Sequence, residues 1–122
     1  MVGDGVEVVL PCLRNTHFGP VMSIGSGGLA VELYRDMAHL ALPTTEAHVR
    51  LALKKLKLWT LLQGFRGKPA ADVDALVAAA VQLGDRFLAT PDLQELEINP
   101  VMVHEQGAGL SAVDALAVVE HV

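Results

Sequence analysis

The hydrophobic period changes twice along this chain, and that order restricts the fold more than any single residue does. Up to residue 42 the apolar positions alternate or run in short stretches: "GVEVVLPCLR" at 5 to 14, "VMSI" at 21 to 24, "LAVELY" at 29 to 34 and "MAHLAL" at 37 to 42. These are strand patterns, separated by turn chemistry in "NTHFGP" and "GSGG". Close together with short turns, they predict an antiparallel meander. Pro11 predicts that the second half of the first strand lies at an edge or bends, because proline has no amide to give a ladder. From residue 43 the period becomes helical. A threonine of the Thr44-Thr45 pair can cap free amides, Glu46 suits the positive end of a helix, and Val49, Ala52, Leu53 and Leu56 share one face. That helix is expected to run to about Leu58. "WTLLQGFRGKPAAD" at 59 to 72 reads as a connector. A second helix is expected from Ala71 or Asp72, with Val73, Leu76, Val77, Ala80, Val81, Phe87 and Leu88 as its buried stripe. Period two then returns in "QELEINPVMVHE" and "LSAVDALAVV", two strands with "QGAG" turning between them. Strands, helix, helix, strands is the order of an α+β fold: one mostly antiparallel sheet with two helices on one face, in a single domain spanning 1–122.

Composition narrows the function. Over half of the residues are hydrophobic, yet the chain holds one Trp, one Tyr and three Phe, so Leu, Val and Ala must fill the core. The formal charge of −5 argues against nucleic-acid binding, which needs a basic surface. The basic run "LKKLK" at 53 to 57 reads as the solvated face of a helix. Cys12 is the only cysteine, which rules out an intrachain disulfide and fits a reducing, cytoplasmic setting. No signal peptide is apparent, and no apolar run reaches the ~18 residues of a membrane span.

The chemistry-bearing residues concentrate in "ELEINPVMV" at 95 to 103. In a strand Leu96 and Ile98 point one way, Glu97 and Asn99 the other. A turn centred between Gln106 and Gly107 sets Asn99 opposite Asp114, so Glu97, Asn99 and Asp114 can converge. Two carboxylates and an amide oxygen form a hard ligand set suited to Mg²⁺, Mn²⁺ or Ca²⁺. The alternative is an ordinary hairpin with its polar residues outward. "GSGG" offers Gly25, Gly27 and Gly28 as a backbone phosphate cradle, or simply a hairpin turn; it lacks the Lys-Ser/Thr of a P-loop. Glu32 and Asp36, just after it, are solvated by default. "GFRG" places Arg66 between glycines ahead of a helix start, where it suits an oxyanion or stands as an exposed loop arginine. None of the five histidines, His17, His39, His48, His104 and His121, has metal-ligand spacing with another His or Cys.

Taken together, "GVEVVL…FGPVMSIGSGGLAVELYRD", "LLQGFRG" and "ELEINPVMV…AVDA" resemble one family over nearly the whole chain. They look like the C-terminal lobe of the ATP-grasp domain of NDP-forming acyl-CoA synthetases, a group that includes ADP-forming acetyl-CoA synthetase and bacterial protein acetyltransferases, with the succinyl-CoA synthetase β subunit more distant. The resemblance implies a lobe that holds Mg²⁺ and ATP or ADP, with metal ligands at Glu97, Asn99 and Asp114. It implies a reaction that converts acyl-CoA, ADP and phosphate into acid, CoA and ATP through a phosphohistidine in another domain. The family's N-terminal ATP-grasp lobe and CoA-binding domain have no counterpart here. The expected partners are therefore those missing parts, and the isolated chain is expected to be inactive. A non-catalytic regulatory module of a protein acetyltransferase is the alternative, and a small domain binding a partner through its open sheet face is a third reading. A homodimer is also among the expected partners; a lobe without its complement can expose apolar surface, which is one route to such a dimer.

Overall fold

The computed structural model describes residues 5–14, 16–27, 36–64 and 67–120 of the 122. Within them, β1 (Val6–Leu13), β2 (Val21–Ser26) and β3 (Met37–Ala41) precede three helices, α1 (Glu46–Lys54), α2 (Leu58–Leu62) and α3 (Val73–Leu88). Strands β4 (Leu93–Val103), β5 (Leu110–Ala112) and β6 (Ala115–Val119) follow. Every strand pairing is antiparallel, in the order β3-β2-β1-β4, with β5 and β6 lying end to end along the far side of β4. The expected α+β class and the antiparallel meander are therefore both present.

Three details differ from the sequence reading. The connector contains a helix of its own: the first helix ends at Lys54, and Leu58–Leu62 winds a further short turn whose Leu58 and Leu62 are buried. Three helices, not two, are thus described. The second difference is β1, which is central rather than an edge. Its ladder to β4 keeps Leu10 opposite Ile98 and Pro11 opposite Glu97, while its ladder to β2 passes from Val9–Gly25 to Cys12–Met22 without a pair between. The missing proline donor thus falls in a gap of one ladder, and the other ladder carries the strand through. Third, "LSAVDALAVV" breaks into two strands at Val113-Asp114. The expected strand "LAVELY" lies outside the described residues.

The helices cover one face of the sheet because their apolar stripes match its inward positions. Val8, Leu10 and Cys12 of β1 and Met22 and Ile24 of β2 are buried against Val49 and Leu53 of α1, Leu58 and Leu62 of α2, and Leu76, Val77, Ala80 and Phe87 of α3. The caps follow the expected chemistry. Thr45 Oγ1 accepts the His48 amide at 3.2 Å, and Asp72 Oδ1 accepts the Ala75 amide at 3.2 Å. Leucine, valine and alanine do most of the filling, with Phe87 the one fully buried aromatic among the described residues. Its ring carries the Arg14 guanidinium 4.5 Å from its centroid, and Arg14 also donates to the carbonyls of Phe87, Thr90 and Leu93 where α3 ends.

Candidate functional site

Alternation along β4 sends Leu96 and Ile98 towards the helices, where they pair with Cys12 and Leu10 of the core. Glu97 and Asn99 therefore face the open side of the sheet. The hairpin has the expected register. Val101, Met102 and Val103 oppose Ala112, Ser111 and Leu110, while Ile98 and Glu97 oppose Ala115 and Leu116. Between these ladders the Asn99 amide donates to the Asp114 carbonyl at 3.0 Å, and the Val113 amide to the Pro100 carbonyl at 3.0 Å. Asn99 thus stands directly across from Asp114, one step along the same face from Glu97.

A bulge sharpens this placement. Val8 pairs with Val101 and Leu10 with Ile98, so the single residue Val9 opposes both Asn99 and Pro100. The Asn99–Pro100 bond is cis. A two-against-one bulge bends its strand and re-aims the side chains at that point. Here it occurs at Asn99, opposite the place where β5 gives way to β6.

Glu97 is half-buried, while Asn99 and Asp114 are exposed. Asp114 Oδ1 accepts the following Ala115 amide at 2.8 Å, which fixes one carboxylate oxygen. Among the described residues no three His, Cys, Asp or Glu side chains gather as a metal site. Glu97 and Asp114 offer two carboxylates, and Asn99 would have to add an amide oxygen as the third donor. That donor set fits Mg²⁺, which takes one or two protein carboxylates and fills its shell with water and phosphate oxygens.

Gly25 and Gly27 lie two strands away. Pairing aligns Met37, Gly25 and Val9 in a row that leads to Asn99 and Asp114. Gly25 is the fifth residue of β2 rather than part of a loop. A Cβ on it would meet the Asp36 carbonyl and the Met37 sulfur, so packing against the neighbouring strand already requires a glycine there. The Gly27 amide is bonded to the Glu7 carbonyl at 2.9 Å, and the Ser26 amide to the Asp36 carbonyl at 3.1 Å. Both glycines are buried, packed against Asp36 and Met37 at Gly25 and against Glu7 at Gly27, and the Ser26 and Gly27 donors are used within the fold. Gly28, Glu32 and Arg66 lie outside the described residues.

Asp36 is not solvated. It is buried, takes the Ser26 hydroxyl at 2.8 Å, and accepts the amides of Lys57 at 2.9 Å and Leu58 at 2.7 Å. It ties the end of β2 to the start of α2. Nothing local in the sequence signals this, because its partners are 10 to 22 residues away. His39 is exposed, with Nδ1 2.6 Å from Ser23 Oγ on the neighbouring strand.

The described helices thus pack on one face of an antiparallel sheet, and Glu97, Asn99 and Asp114 are carried on the other. Residues 1–119 match the ATP-grasp domain family, and the chain belongs to it. Among curated relatives, it is 36% identical over 116 residues to a trans-feruloyl-CoA synthase of an unknown prokaryotic organism, covering 95% of this chain and 16% of that protein. It is 32% identical over 115 residues to the β subunit of the ADP-forming acetate–CoA ligase I of Pyrococcus furiosus, covering 94% of this chain and 49% of that subunit. Among solved structures, it superposes with a TM-score of 0.88 and 33% identity on the dinucleotide-forming acetyl-coenzyme A synthetase 1 of Ca. Korarchaeum cryptofilum. That protein was solved in complex with coenzyme A and Mg-AMPPCP, and the match covers 95% of this chain and 54% of that one. The chain thus spans between about a sixth and about half of the relatives it matches.

Proposed function

We propose that this chain is the metal–nucleotide-holding lobe of an ADP-forming acyl-CoA synthetase. The observation that carries the reading is the hairpin register: Asn99 lies opposite Asp114 with Glu97 beside them on the face turned away from the helices. In this reading Glu97, Asn99 and Asp114 hold Mg²⁺, which bridges the phosphates of ADP or ATP and offsets their charge during phosphoryl transfer. In the same reading Gly25, Gly27, Gly28 and Arg66 are the residues for the phosphates, and the burial of Gly25 and Gly27 limits those two to a backbone role. Similarity to proteins named as ADP-forming CoA ligases supports the overall reaction, in which acyl-CoA, ADP and phosphate become acid, CoA and ATP. A histidine in another domain carries the phosphoryl group between sites; a solved relative is described with a phosphohistidine segment pointing towards its nucleotide site.

Half of the nucleotide enclosure and all of the CoA chemistry then come from elsewhere: an N-terminal ATP-grasp lobe and a CoA-binding domain. No described helix is long and apolar enough to cross a membrane, and the reading places the work in the cytoplasm. The test is Mg-ADP titration of the enzyme carrying Asn99→Ala and Asp114→Ala together. Affinity is expected to fall by about ten-fold or more, as for lost metal ligation. Unchanged affinity and turnover would remove the metal role.

A further inference from the structure

The hairpin that carries Asp114 is held at its tip by a residue with no place in the oxygen cluster. Asp72 divides its carboxylate between two tasks. Oδ1 accepts the Ala75 amide and caps α3. Oδ2 accepts two amides from the β4–β5 turn, Gly109 at 2.8 Å and Gly107 at 3.2 Å. The backbone adds to the tie. The Asp72 amide donates to the His104 carbonyl at 2.8 Å, the Gln106 amide to the Ala70 carbonyl at 2.9 Å, and Ala71 bridges to Glu105. Gly107 and Gly109 have φ of +89° and +78°, a conformation that leaves side-chain-bearing residues strained.

Only three ladder pairs separate this turn from the Asn99–Asp114 position. A slip of one residue in a strand pair turns every side chain to the opposite face. A slip here would carry Asp114 from the open face to the helix face. We propose that Asp72 is a positioning residue that locks the register of this hairpin and so sets Asp114 opposite Asn99. Its meaning for nucleotide binding rests on the reading of Glu97, Asn99 and Asp114 as metal ligands; the lock itself does not.

The two oxygens allow the roles to be separated. Asp72→Ser keeps a good helix cap but has one oxygen instead of two. Amide hydrogen exchange in the chain should then rise roughly ten-fold at Gly109, Asn99 and Val113, while the Leu76 amide in the first turn of α3 keeps its protection. Asp72→Asn is the second variant. With its oxygen on the cap it turns an NH₂ group towards the two glycine amides, and it should give the same pattern if the serine variant does not fold. Native protection at Asn99 and Val113 in either folded variant would overturn the lock, and so would uniform loss of protection through α3. Mn²⁺-ADP broadening of the wild-type Asn99 and Asp114 amides separately tests the metal reading. Its absence in wild type would remove that reading, and the exchange data would still decide the lock.

Discussion

At the scale of single residues, the buried positions account for several features that first look functional. Cys12 is enclosed among Leu10, Met22 and Leu96, and burial pushes its thiol up to about 12. Since the thiolate is the reactive form, Cys12 should resist thiol-labelling reagents at pH 8 in the folded chain and react fully once it is unfolded. Fast labelling of the native chain would contradict that environment. Gly25 illustrates the limit of a motif: "GSGG" suggested a phosphate cradle, yet the glycine at 25 is also demanded by the neighbouring strand. Gly25→Ala should destabilise the chain by about 1–3 kcal/mol in denaturant unfolding, because the new carbon meets backbone that cannot move aside cheaply. Asp36 belongs to the same group. Asp36→Ala strands the Leu58 amide and removes the acceptor of the Ser26 hydroxyl, so a loss of about 2–3 kcal/mol is expected by the same measurement.

At the scale of elements, legibility followed period and local chemistry. The strands around Val8, Met22 and Ile98, the α3 stripe from Leu76 to Phe87, and both helix caps were readable because each depends on neighbours two to four residues away. The hairpin register was readable because "QGAG" fixes the turn, and the turn fixes every pair behind it. What escaped was non-local. The separation of α2 from α1 depends on Asp36 capping across the chain, and the central place of Pro11 depends on which of its two ladders needs the absent amide. The Asp72 lock has a pH signature. Hydrogen bonds from the Gly109, Ala75 and Gly107 amides hold its carboxyl below the usual carboxylate range. A group depressed in the folded state contributes stability above its unfolded pKa, near 4, and loses it as pH falls through the folded value. Protection of the Gly109 amide should therefore be flat from pH 7 to about 5 and decline below about 4, and Asp72→Ser should abolish that decline.

At the scale of the whole molecule, one face of the sheet is packed by helices while the other carries Glu97 and Asn99, with apolar residues beside them. Every residue of β6 is exposed, and Leu116 and Val118 share the open face with Glu95, Glu97 and Leu13. The proposed function predicts that the chain alone, incubated with acyl-CoA, ADP, phosphate and Mg²⁺, forms no ATP, and that a complementary ATP-grasp lobe with its CoA-binding domain restores turnover. ATP formation by the isolated chain would contradict the division of labour. The proposal at the centre is narrower: the face of β4 turned away from the helices, with its hairpin partner, binds a metal–nucleotide. Crystals grown with Mn²⁺ and ADP test it most directly through anomalous scattering. The account predicts one manganese peak bounded by the oxygens of Glu97, Asn99 and Asp114, with diphosphate density extending towards Gly25 and Gly27. A manganese–ADP complex seated elsewhere on the chain, with those three side chains uninvolved, would contradict it.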